Sequence, residues 1–182
     1  MTRIVVPALH EDNVAVRCLR SEGIEPYVRV LSAPTDYAHL MAELWQDGET
    51  FVIVEDDIAP WPGAVAQMCD CPRFWCGYYY TLPGRWDPED DGPYKSLWGT
   101  TGCYKVTDDV LLAAPDLYKR FEHHTWDTLD VGLIAALRHV MGLEASSSEA
   151  SFHVHGPPVA HAMHYRPEAT HGRSQAPREA VV

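Results

Sequence analysis

The sequence predicts an α/β protein, a mostly parallel sheet flanked by helices in a three-layer sandwich, and three observations carry that expectation. The first third of the chain alternates strand-like and helix-like segments in the order β-α-β-α-β. Its strand segments, such as "FVIV" at Phe51–Val54, are apolar without alternation, as strands covered on both faces must be. The 182 residues, 46% apolar and 22% charged, suit one well-packed domain and are few for two.

The elements follow in order. "RIVVPAL", Arg3 to Leu9, is a short apolar strand ending in a loop. "EDNVAVRCLRSEG" is a helix whose acids complement the dipole at its start and whose Gly23 stops it. "PYVRVLSA" is the second strand. Thr35 and Asp36 precede "YAHLMAELWQDG", where Leu40, Met41, Leu44 and Trp45 form a helical apolar stripe ended by Gly48. "TFVIVEDD" is the third strand, and Pro62 and Gly63 restart the chain into the short helix "AVAQMCD". "RFWCGYYYTL" is an aromatic strand, followed by the polar loop "PGRWDPEDDGPYKS" and by strands or turns through "LWGTTGCYKV". "TDDVLLAAPDLYKRF" is helical in two pieces split by Pro115. "TWDTLDVGLIAALRHVMG" is a helix with Leu129, Leu133, Leu137 and Val140 on one side. "SFHVHGPPVAHAMHY" is a last strand with a Pro-Pro turn. The expected division is one compact domain over 1–165 and a disordered tail over 166–182, which is poor in large apolar residues.

A formal charge of −12 disfavours generic nucleic-acid binding, because such a surface repels phosphate backbones. It is compatible with a small anionic ligand bound through a divalent cation. No apolar run approaches the ~20 residues that cross a bilayer, and "MTRIVVPALHED" turns polar too soon for a signal peptide. Five cysteines make an odd number without a disulfide framework, so the expected compartment is the reducing cytoplasm. In "CDCPRFWC", Cys69, Cys71 and Cys76 lack the usual spacing of zinc ligands and read more simply as small buried thiols.

The feature that stands out is Glu55-Asp56-Asp57, three adjacent carboxylates at the end of a buried strand. In a parallel α/β sheet, ligands bind beyond the carboxyl ends of the strands. On extended backbone Glu55 and Asp57 would face one way and Asp56 the other. Anions packed this closely need a cation or hydrogen-bond donors to offset their repulsion, and oxygen ligands suit Mg²⁺ or Mn²⁺. The competing reading is a polar turn that caps the next helix. "VVPALHED" carries no GxGxxG, which argues against a dinucleotide enzyme of Rossmann type and leaves a metal to hold phosphates.

"VIVEDDIAPWPG", after two β-α units, resembles the acidic metal motif (DxD-like, written EDD) of GT-A-fold glycosyltransferases, in particular the small lipopolysaccharide-type enzymes. The resemblance implies a GT-A-like, Rossmann-like fold and a UDP- or GDP-linked nucleotide-sugar donor. It further implies Mn²⁺ or Mg²⁺ as cofactor and a hydroxyl acceptor. It makes Asp57 the metal ligand, Glu55 and Asp56 donor contacts, and Pro7, Ala8 and Leu9 the start of the nucleotide cradle. Family members place an acid at a helix start facing the anomeric carbon. Asp130 and Asp127 in "TWDTLDVGL" both resemble that base, with first-turn acids favoured by the helix dipole as the plainer account. A histidine near the end of the domain is often a second metal ligand there, which favours His161, with His155 and His164 behind it. Gly99 and Thr100 resemble the Gly-Thr pair that lines the sugar pocket.

The expected activity is therefore metal-dependent transfer of a sugar to a hydroxyl acceptor, inverting by preference because a candidate base exists, with retention left open. The chain is small for the fold, so the acceptor-binding half is reduced or shared with a partner, and an oligomer is compatible. Two other readings use the same acids. One is a metal-dependent nucleotidyltransferase or phosphohydrolase, which should show a cation near the first loop, where only Arg3 and Arg17 bracket it. The other is a non-catalytic nucleotide-sugar-binding protein.

Overall fold

A computed structural model describes residues 2–80, 102–126, 128, 129, 132, 133, 136 and 152–161. Strand β1 (Arg3–Ala8) leads through helix α1 (Val14–Ser21) to β2 (Tyr27–Val30), then through α2 (Asp36–Asp47) to β3 (Phe51–Val54). A two-residue strand β4 (Ile58–Ala59), helix α3 (Ala64–Asp70) and β5 (Trp75–Tyr80) follow. Then come β6 (Cys103–Val106), α4 (Asp108–Ala113), a 3-10 turn at Leu117–Arg120 and β7 (Phe152–His161). The expected helix beyond Thr125 is helical at Trp126, Thr128, Leu129, Gly132, Leu133 and Ala136. Leu129 and Leu133 of its expected stripe are buried; Leu137 and Val140 lie outside the described residues. So do the expected polar loop over 83–96 and the expected tail.

The seven strands among the described residues form one sheet in the order β2-β1-β3-β6-β5-β7-β4. The α/β class stands. β1 pairs in parallel with both β2 and β3, so the first half of the sheet is parallel as expected. β6 enters antiparallel between β3 and β5, and β5 pairs in parallel with β7, so the second half is mixed.

Alternation along each strand explains the three layers. Val5, Phe51, Ile53, Tyr104 and Val106 point to one face, where α2 covers them with Leu40, Met41, Leu44 and Trp45. Val6, Ala8, Val52, Val54 and Cys103 point to the other, covered by Val16 and Leu19 of α1 and Val65 and Met68 of α3. The central strands β3 and β6 therefore have no solvent face, while β2 at the sheet edge keeps Tyr27 and Val30 exposed. Lys105 is the charged residue of β6, 2% exposed on the α3 face. Its ammonium donates to the carbonyl of Cys71, just past the end of α3, where unpaired carbonyls concentrate negative partial charge.

Three local expectations are corrected. Helix α1 starts at an asparagine, not on the acids: it has no acid in its first turn, and Asn13 Oδ1 accepts the Val16 N–H at 2.9 Å. Strand β3 stops at Val54, before the acids. β6 runs only alongside Phe51–Val54, and Ile58 N–H then donates to Glu55 O at 3.0 Å, closing a turn over Asp56 and Asp57. The strict front-and-back alternation expected for the three acids therefore does not apply. Gly156-Pro157-Pro158 forms no turn either. β7 runs through it, and its register against β5 slips between Tyr78↔His155 and Tyr80↔Val159. A proline has no N–H for the ladder, so the two are absorbed at an irregularity in the pairing.

Candidate active site

The site follows from the strand order. β1 lies between β2 and β3, so the chain leaves β1 to one side and returns on the other, with α1 and α2 on opposite faces. A crevice opens at such a switch point, beyond the carboxyl ends of β1 and β3. A cleft of about 270 Å³ lies there, lined by Pro7, Ala8 and Leu9 from β1 and its exit, and by Glu55, Asp56 and Asp57 from the turn after β3. Leu31, Tyr37 and Trp126 complete the wall.

Each acid of the turn is half-buried. The Glu55 N–H donates to Gly102 O at 2.9 Å, which anchors the turn to the start of β6. Asp56 Oδ2 accepts the Leu9 N–H at 2.8 Å and so ties the exit of β3 to the exit of β1. Glu55 meets the buried Tyr37 hydroxyl, which also contacts Tyr104. Burial pushes the Tyr37 phenol well above its usual range, with Tyr104 and the Glu55 carboxylate adding to the effect. Tyr37 therefore stays protonated and can donate a hydrogen bond.

The apolar wall is fixed from behind. Leu31 N–H donates to Ala8 O at 2.8 Å, and Trp126 N–H donates to Pro34 O at 2.9 Å. Asp36 holds the loop between them, accepting the Ser32 and Ala33 amides at 2.7 and 2.8 Å and the Ser32 hydroxyl at 2.9 Å. Those donors lower the Asp36 carboxyl below its ordinary value. Trp126 is 38% exposed, so part of its ring surface remains open to a ligand.

Among the described residues the lining carries three carboxylates and no lysine or arginine. No three His, Cys, Asp or Glu groups among those residues converge into a ready-made metal cage. The donor set fits a different kind of site. A hard divalent cation takes one or two protein carboxylates and completes its shell with substrate phosphates and water. Asp57 on the turn is suited to that part.

The structure thus brings together six of the residues singled out in the sequence: Pro7, Ala8, Leu9, Glu55, Asp56 and Asp57. His161 is placed by register opposite Ile58, the residue after Asp57. His155 is paired with Tyr78 instead, on the β5 side of the bulge. Gly99, Thr100, Asp127, Asp130 and His164 lie outside the described residues; Trp126, next to Asp127, lines the cleft. Sequence reasoning missed Leu31 and Tyr37. Their signal was positional, since the segment after β2 exits at the same sheet edge as the segment after β1.

The cysteines of "CDCPRFWC" pack around the end of α3. Cys71 and Cys76 are buried, and burial pushes the Cys76 thiol up to about 12. No helix among the described residues is long and apolar enough to cross a membrane.

The architecture defines an α/β protein whose cleft sits at the sheet's switch point, and solved structures share its fold. The fold is similar to that of a glycosyltransferase involved in the glycosylation of the major capsid of PBCV-1, with a TM-score of 0.50 at 12% identity. That alignment covers 92% of this chain and 96% of the other. A197 from STIV aligns with a TM-score of 0.40 at 15% identity over 61% of this chain and 66% of its own. No family model and no curated protein matches the sequence.

Proposed function

We propose that the chain is a metal-dependent glycosyltransferase that moves a sugar from a nucleotide-sugar donor to a hydroxyl acceptor. The observation that carries this reading is the shared cleft. The β1 exit, Pro7 to Leu9, and the acidic turn, Glu55 to Asp57, meet at the switch point of an α/β sheet whose fold is similar to a glycosyltransferase.

In this reading Asp57 holds a Mn²⁺ or Mg²⁺ ion together with the donor diphosphate, and His161 is the second candidate ligand because of its register beside Ile58. The cation, when bound, neutralises the charge that develops on the leaving diphosphate. The need for it follows from the wall, where the described residues offer a phosphate three anions and no cationic side chain. Pro7, Ala8, Leu9 and Leu31 form an apolar surface suited to a nucleoside, and Trp126 offers ring area at the mouth. Gly99 and Thr100 are proposed to line the sugar side. Asp130, or Asp127 beside Trp126, is proposed as the base that takes the acceptor proton, which would make the reaction inverting.

The test is thermal shift and calorimetry with UDP and GDP, each with and without Mn²⁺, followed by a donor-hydrolysis screen across nucleotide sugars. Manganese-dependent stabilisation is expected for the native chain, and Asp57→Asn should remove at least about tenfold of the nucleotide affinity. A native chain indifferent to nucleotide in the presence of Mn²⁺ would sink the reading.

A further inference from the structure

The cleft is built from segments 47 positions apart, and the bond from the Leu9 amide to Asp56 Oδ2, at 2.8 Å, joins them across it. Leu9 has left β1, which ends at Ala8, so its amide lies outside the ladder that β1 forms with its neighbours. The residue before it is fixed from the other side by Leu31 N–H on Ala8 O. Asp56 is itself held in a closed turn, with the Glu55 amide on Gly102 O and the Ile58 amide on Glu55 O. An ionised carboxylate on a backbone amide is a charge-assisted bond, stronger than a neutral pair.

We infer that Asp56 is a positioning residue: it clasps Leu9 to the acidic turn and thereby sets the nucleoside wall at a fixed distance from Asp57. This rests on the proposed nucleotide site and sharpens it, because the middle acid of the triplet then works through Leu9. The bond needs an acceptor oxygen and not a negative charge, which separates it from a ligand to a cation. Asparagine supplies the acceptor and alanine does not.

The experiment is a three-way comparison of the full native chain, Asp56→Ala and Asp56→Asn. The readouts are UDP affinity with Mn²⁺ by calorimetry, the hydrogen exchange of the Leu9 amide by NMR, and the melting temperature as a control for folding. Asp56→Ala is expected to weaken UDP binding about tenfold or more and to release the Leu9 amide. Asp56→Asn should recover affinity to within about threefold and keep the amide protected, because the neutral bond is weaker but present. If Asp56→Asn binds as weakly as Asp56→Ala while Leu9 stays protected, the charge itself meets the ligand and the inference fails. Native-like affinity in Asp56→Ala also overturns it. Should the native chain bind no nucleotide, the functional reading falls. Leu9 exchange then judges the clasp alone, and an amide as labile in the native chain as in Asp56→Ala refutes it.

Discussion

Asp36 illustrates how a residue outside the cleft controls it. Its carboxylate gathers the Ser32 and Ala33 amides and the Ser32 hydroxyl, and the loop it closes presents Leu31 on one side and the Pro34 carbonyl that receives Trp126 on the other. These donors favour the ionised form, so its folded pKa lies below the ordinary value of 3.8. A depressed carboxylate contributes stability that is present above the unfolded pKa and is lost as pH falls through the folded one. Asp36→Asn should therefore melt below the native chain at pH 7, and the gap should narrow as pH drops under about 4. Melting curves across that range check it, and a gap that widens in acid would contradict the assignment. At this scale the acidic turn was legible because three adjacent carboxylates repel one another, and the end of a buried strand holds them only beside a cation or hydrogen-bond donors. Tyr37 was not, since a tyrosine in the first turn of a helix looks like core until Glu55 is seen beside it.

At the level of elements, β6 caps the end of helix α3 at the carbonyl of Cys71. Lys105 reaches from the sheet to Cys71 O, and it is buried among Cys76 and its neighbours on the α3 face. Lys105→Ala removes the packed stem and the donor together and should cost about 2–4 kcal/mol in urea unfolding. A loss under about 1 kcal/mol would show that water replaces the ammonium. Elements were readable wherever the period was clear, as with the stripe of α2 and its stop at Gly48, whose φ of +70° suits glycine. They were less readable where pairing decides. Neither the antiparallel entry of β6 nor the passage of β7 through Pro157-Pro158 has a local signature, because both depend on strands far away in sequence.

For the molecule as a whole, the sheet is the common wall of two apolar layers, and Phe51 sits near its centre. It pairs with Arg3 on β1 and Val106 on β6, is fully buried, and packs into the α2 layer. Phe51→Ala should cost about 3–5 kcal/mol, read by denaturant titration, and a loss under about 1 kcal/mol would mean that the layer refills the space. The three-layer architecture was visible in advance because strands without polar relief must be covered twice. The remaining feature concerns time. The acidic turn is followed directly by β4, whose partner residues, Ala160 and His161, come about a hundred positions later. β1, β2 and β3 hold all their mutual pairings within the first 54 residues. On the ribosome, at about 5–20 residues per second, the parallel half can therefore close roughly 5–20 s before the far flank of the acidic turn finds its strand. The nascent chain would carry the β1 wall of the cleft, Pro7 to Leu9, well before β4 is paired.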